Sequence, residues 1–113
     1  MPDKQAHLDD VFHALGDPTR RAVLARLCKG PAAVSDLAAP FRMALPSFVQ
    51  HLAVLEKSGL ITSTKKGRVR TCEVKPQALN AAESWLSAQR ALWENRLDRF
   101  DAYVKTLSTE DTP

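Results

Sequence analysis

The sequence has few cysteines and no long apolar run. Its two cysteines, Cys28 and Cys72, belong to no C-x-x-C pair, which excludes a disulfide framework and a standard zinc site. No stretch approaches the roughly 18 apolar residues of a membrane-spanning helix, and the first five residues do not resemble a secretory signal. We therefore expect a cytoplasmic chain without a membrane partner.

Sequence motifs of enzymes are absent as well. The chain contains no G-x-S-x-G, P-loop, H-E-x-x-H or G-x-G-x-x-G segment, so we expect neither catalytic residues nor a cofactor. Its 113 residues, 44% apolar and 26% charged, are typical of one globular domain. Because so short a chain buries only about two thirds of its unfolded surface, a partner subunit is expected to add stability.

Positive charge is concentrated in the middle of the chain. The whole sequence carries a formal charge of only +3. Its local values are −3 over residues 1–17, +4 over 18–60, +4 over 61–82 and −2 over 83–113. This distribution indicates that the middle of the chain binds a polyanion while the ends serve another purpose.

Apolar residues recur at helical spacing in four segments before residue 60. Asp17 followed by Pro18 is typical of a helix start, and Gly30 of a helix stop. Ser35 is predicted to cap a short third helix, and Pro46 falls in the first turn of the fourth. Three apolar residues of the fourth helix are predicted to be core: Phe48, Leu52 and Leu55. The helices are expected over residues 8–15, 18–29, 36–39 and 45–58.

Two runs rich in β-branched residues, 60–65 and 68–74, flank Lys66 and Gly67 and predict a β-hairpin. Four cations crowd its tip: Lys65, Lys66, Arg68 and Arg70. Like charges this dense repel one another unless an anion neutralises them, and DNA phosphates would do so. The alternative is a strand edge blunted by charge against aggregation.

A long helix is predicted from Pro76 to about Leu107, followed by a loose tail over 108–113. Its apolar residues follow a heptad pattern, which is typical of a helix packed on another helix. The first helix and a second subunit are the expected partners. The predicted dimer interface comprises Leu8, Val11, Phe12, Leu86, Trp93, Leu97, Phe100 and Val104, with Leu107 continuing the pattern.

Four blocks, in order, resemble the signatures of ArsR-type bacterial repressors. They are FHALGDPTRR (12–21), VSDLA (34–38), QHLAVLEKSGLI (50–61) and KGR (66–68). The resemblance covers about residues 8–75 and implies a mainly α winged helix-turn-helix with a small β-hairpin wing. The heptad helix resembles the C-terminal dimerisation helix of one branch of that family. We expect one domain, with a DNA-binding core at 8–75 and a dimerisation helix at 76–107.

A helix that enters the major groove needs short polar side chains on its first turns. Gln50 is expected to pair with adenine, Ser47 to contact a base or a phosphate, and His51 to contact a phosphate. Alternatively, Gln50 lies on a solvated face and His51 packs against the wing. The full set predicted to bind double-stranded DNA is Arg42, Leu45, Pro46, Ser47, Gln50, His51, Lys65, Lys66, Arg68 and Arg70. Many family members carry a serine at the position of Val49. Many also carry a serine at the position of Ala44, where it caps the helix.

The resemblance also raises the question of the regulatory signal. Metal-sensing relatives use a C-x-C-D-L stretch, but this chain reads AVSDL at 33–37 and has no histidine over 80–107, so we expect no metal site. A minor metal site on the first helix, formed by His7, Asp9, Asp10 and His13, is also disfavoured. Two signals remain open. One is oxidation of Cys28 or Cys72, and the other is a small apolar ligand beside Trp85 or Trp93.

We therefore expect a homodimeric repressor that binds a palindromic operator. The alternative is a winged-helix module that binds another protein through its C-terminal helix, without specific DNA binding. The operator, the regulated genes, the signal and the choice between repression and activation are not encoded in any pattern we can read.

Overall fold

The computed structural model describes residues 4–110, and the side chains of residues 7–107. Over these described residues, five helices and three short strands form a mainly helical fold, as predicted. In chain order they are α1 (Lys4–Leu15), α2 (Pro18–Leu27), β1 (Ala32–Ala33), α3 (Val34–Ala38), α4 (Leu45–Lys57), β2 (Ile61–Lys66), β3 (Val69–Val74) and α5 (Pro76–Glu110). Within residues 4–110, no helix combines the length and the apolarity needed to cross a bilayer.

The start of α2 agrees with its sequence signal. Asp17 has extended backbone angles, and its carboxylate accepts a hydrogen bond of 3.0 Å from the backbone N–H of Arg20. Pro18 occupies the first turn, where its missing N–H costs nothing. The short link between α1 and α2 is therefore set by a local cap.

The start of α3 differs from its prediction. The helix begins at Val34 with Ala33 as its N-cap, so Ser35 lies inside the helix and caps nothing. Pairing of β1 with β3 accounts for this shift, because it fixes Ala32 and Ala33 as extended backbone directly before the helix. Two alanines carry no alternating pattern from which this strand could be predicted.

The three strands form an antiparallel sheet in the order β1, β3, β2. The predicted hairpin pairs Ile61 with Val74 at its base and Lys66 with Val69 at its tip. Gly67 turns the chain with a φ of 62°, a left-handed angle that favours glycine. Because β3 also pairs with β1, the hairpin is joined to the segment that leads into α3.

The core lies among α1 to α4, the base of the sheet and the first turns of α5. Its largest fully buried side chains include Phe48, Leu55, Leu60 and Ile61, and Leu52 is also buried, as predicted for the α4 residues. Ser58 is buried too, and its hydroxyl donates to the backbone oxygen of Leu55 over 2.8 Å. A buried hydroxyl that is hydrogen-bonded avoids the desolvation cost of an unpaired one.

One residue of the predicted dimer interface belongs to this core instead. Val11 has no exposed surface, so it cannot contact a second subunit without unfolding its own chain. The helical pattern shows which face of α1 is apolar, but it does not show which apolar residues the chain covers itself. Leu8 and Phe12 are half-buried.

The chain divides into two compact units, Met1–Ala82 and Glu83–Pro113. Helix α5 contributes to both: Ala78 and Ala82 are buried in the first unit, whereas every residue from Glu83 to Leu107 is exposed. The helix continues to Glu110, three residues past its predicted end, so 108–110 are not a loose tail. The remaining tail residues, 111–113, lie outside the described residues.

Candidate nucleic-acid interface

Helix α4 presents one face to the core and the other to solvent. The repeat of the helix separates the buried Phe48, Leu52 and Leu55 from an exposed set. The exposed residues of its first two turns are Leu45, Pro46, Ser47, Val49 and Gln50. Arg42, in the loop before the helix, is exposed as well. The outer face of α4 thus combines small polar groups with apolar groups, which suits contacts to base edges and thymine methyls.

The hairpin carries its cations on exposed positions. In its register Lys65 lies opposite Arg70, and side chains directly opposite in an antiparallel pair share one face of the sheet. Like charges in that position repel, and the side chains of Lys65, Lys66, Arg68 and Arg70 form no hydrogen bond or ion pair with another described residue. A bound polyanion would relieve this repulsion.

An open groove of about 480 Å³ lies between α4, the start of α3 and the hairpin. Val49 and Ala53 of α4 line one side, and Arg68 and Arg70 of the hairpin line the other. The fold therefore brings two exposed residues of α4 and the cationic strands to a single concave surface, which Ser47 and Gln50 do not line. Three cations (Lys65, Arg68 and Arg70) and one carboxylate (Glu56) line it, so its net charge is positive, as expected of a nucleic-acid interface.

His51 does not pack against the wing, which was the alternative given for it. Its side chain is 23% exposed and packs against α2 rather than against the wing. Its Nδ1 atom lies 3.0 Å from Nη1 of Arg20 and 3.7 Å from Oδ2 of Asp17. The contact with DNA predicted for this residue remains a prediction, but the ring belongs to a hydrogen-bonded cluster that joins α2 to α4.

Arg20 is the functional candidate that the sequence did not reveal. Its Nε donates to the backbone oxygen of Ala14 over 2.8 Å, and its Nη2 donates to that of His13 over 3.1 Å. One guanidinium thus joins the end of α1 to His51 of α4. The only signal for it was its place in the GDPTRR block of the family resemblance, and that block does not indicate which residues Arg20 contacts.

Asp17 completes this cluster electrostatically. The hydrogen bond from the backbone N–H of Arg20 holds the pKa of the Asp17 carboxyl below its ordinary value of 3.8, and electrostatic interactions with the nearby His51 and Arg20 act in the same direction. Desolvation opposes this shift without reversing it. Asp17 is therefore a carboxylate at neutral pH.

The cysteines lie in different surroundings and both are free thiols. Burial raises the pKa of the Cys72 thiol, and the nearby charge of Glu56 adds to this, while Arg70 opposes it. A thiol that stays protonated is a poor nucleophile, which argues against Cys72 as a redox sensor. Cys28 is exposed at the end of α2. Over the described part of the chain, no three His, Cys, Asp or Glu residues are grouped as metal ligands.

The heptad residues of α5 from Leu86 to Leu107 form an apolar seam that is exposed along the helix. Trp93 is 59% and Phe100 66% exposed, values far above those of core residues. The other exposed seam residues are Leu86, Leu97, Val104 and Leu107. Arg90 interrupts the seam at the position where the heptad would place a further apolar residue. An apolar stripe of this extent normally marks a site of protein association.

Comparison with known proteins agrees with this architecture. A helix-turn-helix domain model matches residues 15–64. The HTH-type transcriptional regulator Rv2034 of Mycobacterium tuberculosis is 38% identical over 73 residues, which are 65% of this chain and 68% of that protein. The transcriptional repressor SdpR of Bacillus subtilis is 30% identical over 79 residues, 70% of this chain and 88% of its own.

Solved structures give the same result. The crystal structure of an ArsR family transcriptional regulator is 54% identical, covers 83% of this chain and 97% of that one, and has a TM-score of 0.78. A homodimeric winged helix-turn-helix DNA-binding domain from Mycobacterium bovis shares the fold at 23% identity, over 81% of this chain and 91% of its own, with a TM-score of 0.60. By sequence identity, helix order and wing, the chain belongs to the ArsR family of winged helix-turn-helix transcriptional regulators.

Proposed function

We propose that the protein is a homodimeric repressor that binds a palindromic operator in double-stranded DNA. In this proposal α4 enters the major groove, with Ser47 and Gln50 at base edges and Leu45, Pro46 and Val49 beside thymine methyls. The observation that carries the proposal is the single concave surface on which the outer face of α4 meets the cationic hairpin. Repression follows when the bound dimer occupies promoter DNA.

Phosphate contacts supply most of the affinity in this proposal. Arg42, Arg68 and Arg70 are exposed, and the side chains of the hairpin cations form no ion pair with another described residue that would compete with DNA. Such contacts release counterions, so binding falls steeply as salt rises. They fix the position of the protein but read no sequence, which leaves specificity to α4.

The exposed seam of α5 supports a homodimer. A two-fold dimer presents two copies of α4, and half-sites one helical turn apart, about 34 Å, match successive major grooves. The M. bovis domain, which is homodimeric, supports a homodimer by analogy. SdpR supports the assignment as a repressor, also by analogy. The competing proposal, a module that binds another protein through α5, draws on the same exposed stripe but leaves the cationic groove unexplained.

The test is selection of bound fragments from genomic DNA, followed by affinity measurement on the enriched sequence. We expect a short palindrome, a nanomolar dissociation constant and a steep loss of affinity with added salt. Addition of metal salts, oxidants and small apolar metabolites to the complex then identifies the signal that releases it. A purified protein that retains no duplex even at low salt would favour the protein-binding module.

A further inference from the structure

His51 is the only ionisable side chain on α4 before Glu56, and it is held by another helix. Its ring is half-buried, and its Nδ1 atom lies 3.0 Å from Nη1 of Arg20. A histidine on the DNA-facing helix can serve as a donor, an acceptor or a cation, and each role needs a different arrangement of ring protons. The contact with Arg20 decides among them, because Oδ2 of Asp17 is 3.7 Å from the same Nδ1 atom, which is beyond hydrogen-bond distance.

A guanidinium has only donors, so across this contact Arg20 donates and Nδ1 of His51 accepts. An accepting Nδ1 carries no proton, and the single proton of the neutral ring is therefore on Nε2. Arg20 cannot easily turn away, because its Nε and Nη2 atoms are bound to the backbone oxygens of Ala14 and His13. Its own backbone N–H is bound to Asp17.

We propose that Arg20 is a positioning residue that holds His51 as the tautomer protonated at Nε2, so that the ring offers one directed N–H donor to a DNA phosphate. Arg20 then acts on DNA binding through His51 rather than by touching the duplex. The phosphate contact rests on the proposed function, whereas the tautomer is a property of the protein alone. The two parts can therefore be tested separately.

The tautomer is tested first, by ¹⁵N-detected NMR of the imidazole nitrogens in the full-length protein without DNA at neutral pH. We expect a protonated Nε2 and an unprotonated Nδ1 in the wild type, and a mixture of tautomers in Arg20→Met. Arg21→Met is the matched control: its guanidinium donates to the backbone oxygen of Leu15, over 2.8 Å, rather than to His51, and His51 should keep its form. A wild-type spectrum with the proton on Nδ1 would overturn the proposal without the need for any variant.

The second measurement is a double-mutant cycle on the affinity for the selected operator. As a single change, Arg20→Met should weaken operator binding by about threefold to tenfold, the effect of one misdirected hydrogen bond. In a protein that already carries His51→Ala, the same change should have no effect on operator binding. An equal loss in both backgrounds would show that Arg20 acts independently of His51 and would overturn its positioning role. A wild type with the expected tautomer but without operator binding would instead overturn the proposed function, and with it the phosphate contact.

Discussion

At the scale of single residues, position on α4 decides which side chains are core and which face solvent. The burial of Phe48, Leu52 and Leu55 was predictable, because the helical repeat fixes which residues share a face. The contact of His51 with Arg20 was not predictable, since the two residues are 31 positions apart and meet only through the packing of α2 and α4. Local patterns assign faces, and tertiary packing assigns partners.

The first residue-scale prediction separates base reading from phosphate binding. Gln50→Ala should lower discrimination at one base pair by about 1–3 kcal/mol and leave the salt dependence unchanged. The double change Arg68→Ala and Arg70→Ala should weaken binding to every duplex alike and make the log–log salt slope shallower by about 2. Titrations of operator and scrambled duplexes over a range of salt concentrations measure both effects.

Removal of two arginines from α5, Arg96→Ala with Arg99→Ala, is the control for this experiment. It lowers the net charge by the same amount on a different part of the chain. If it reduces the salt slope as much as the hairpin change does, the hairpin is not the phosphate-binding element.

The second residue-scale prediction concerns Asp17 and pH. A carboxyl whose pKa is lowered by folding contributes stability above its ordinary value of 3.8, and this contribution is lost as the pH falls below it. Asp17→Asn keeps a capping side chain but removes the charge. Thermal melting between pH 6 and pH 3 should show the wild type losing more stability than this variant, whereas Asp98→Asn, at an exposed position of α5, should follow the wild type.

At the scale of elements, some strands and helix starts could be predicted from the sequence and others could not. The hairpin was predictable because β-branched runs flank a turn glycine, but β1 was not, because a strand of two alanines exists only through its partner β3. The same strand moves the start of α3 away from Ser35. Elements made by local signals can be read from sequence, and elements made by pairing cannot.

The missing cap of α4 gives the element-scale prediction. Ala44 has the extended backbone angles of an N-cap, φ −64° and ψ 143°, but no side-chain acceptor. Pro46 has no N–H, so a serine at residue 44 would accept from the backbone N–H of Ser47. Ala44→Ser should therefore stabilise the protein by about 1 kcal/mol, measured by chemical unfolding. Ala53→Ser, in the exposed interior of the same helix, should give no gain.

At the scale of the whole molecule, the long helix α5 was predictable from the sequence, but what covers its exposed apolar residues was not. Periodicity was sufficient to place the apolar seam, because an uninterrupted helix converts spacing directly into a face. It was not sufficient to separate residues that the chain covers itself, as Val11 shows. Assembly therefore has to be tested in solution.

The prediction at this scale is that Leu97→Glu separates the dimer. A charge in the centre of an apolar interface is costly to bury, so light scattering should report a monomer or a much weaker dimer. Operator affinity should fall with it, because two half-sites are no longer bound together. Asn95→Glu adds the same charge on the opposite side of α5 and should remain dimeric; an unchanged mass for Leu97→Glu would place the interface elsewhere.

Helix α5 keeps its two tasks on separate stretches of chain. Ala78 and Ala82 are buried with the DNA-reading unit, whereas the seam begins only at Leu86. We therefore expect substitutions along the seam to leave the packing of Ala78 and Ala82 unchanged. After gene duplication, one copy can change the subunit with which it pairs while it continues to recognise the ancestral DNA sequence, so new pairings can evolve without loss of the old targets.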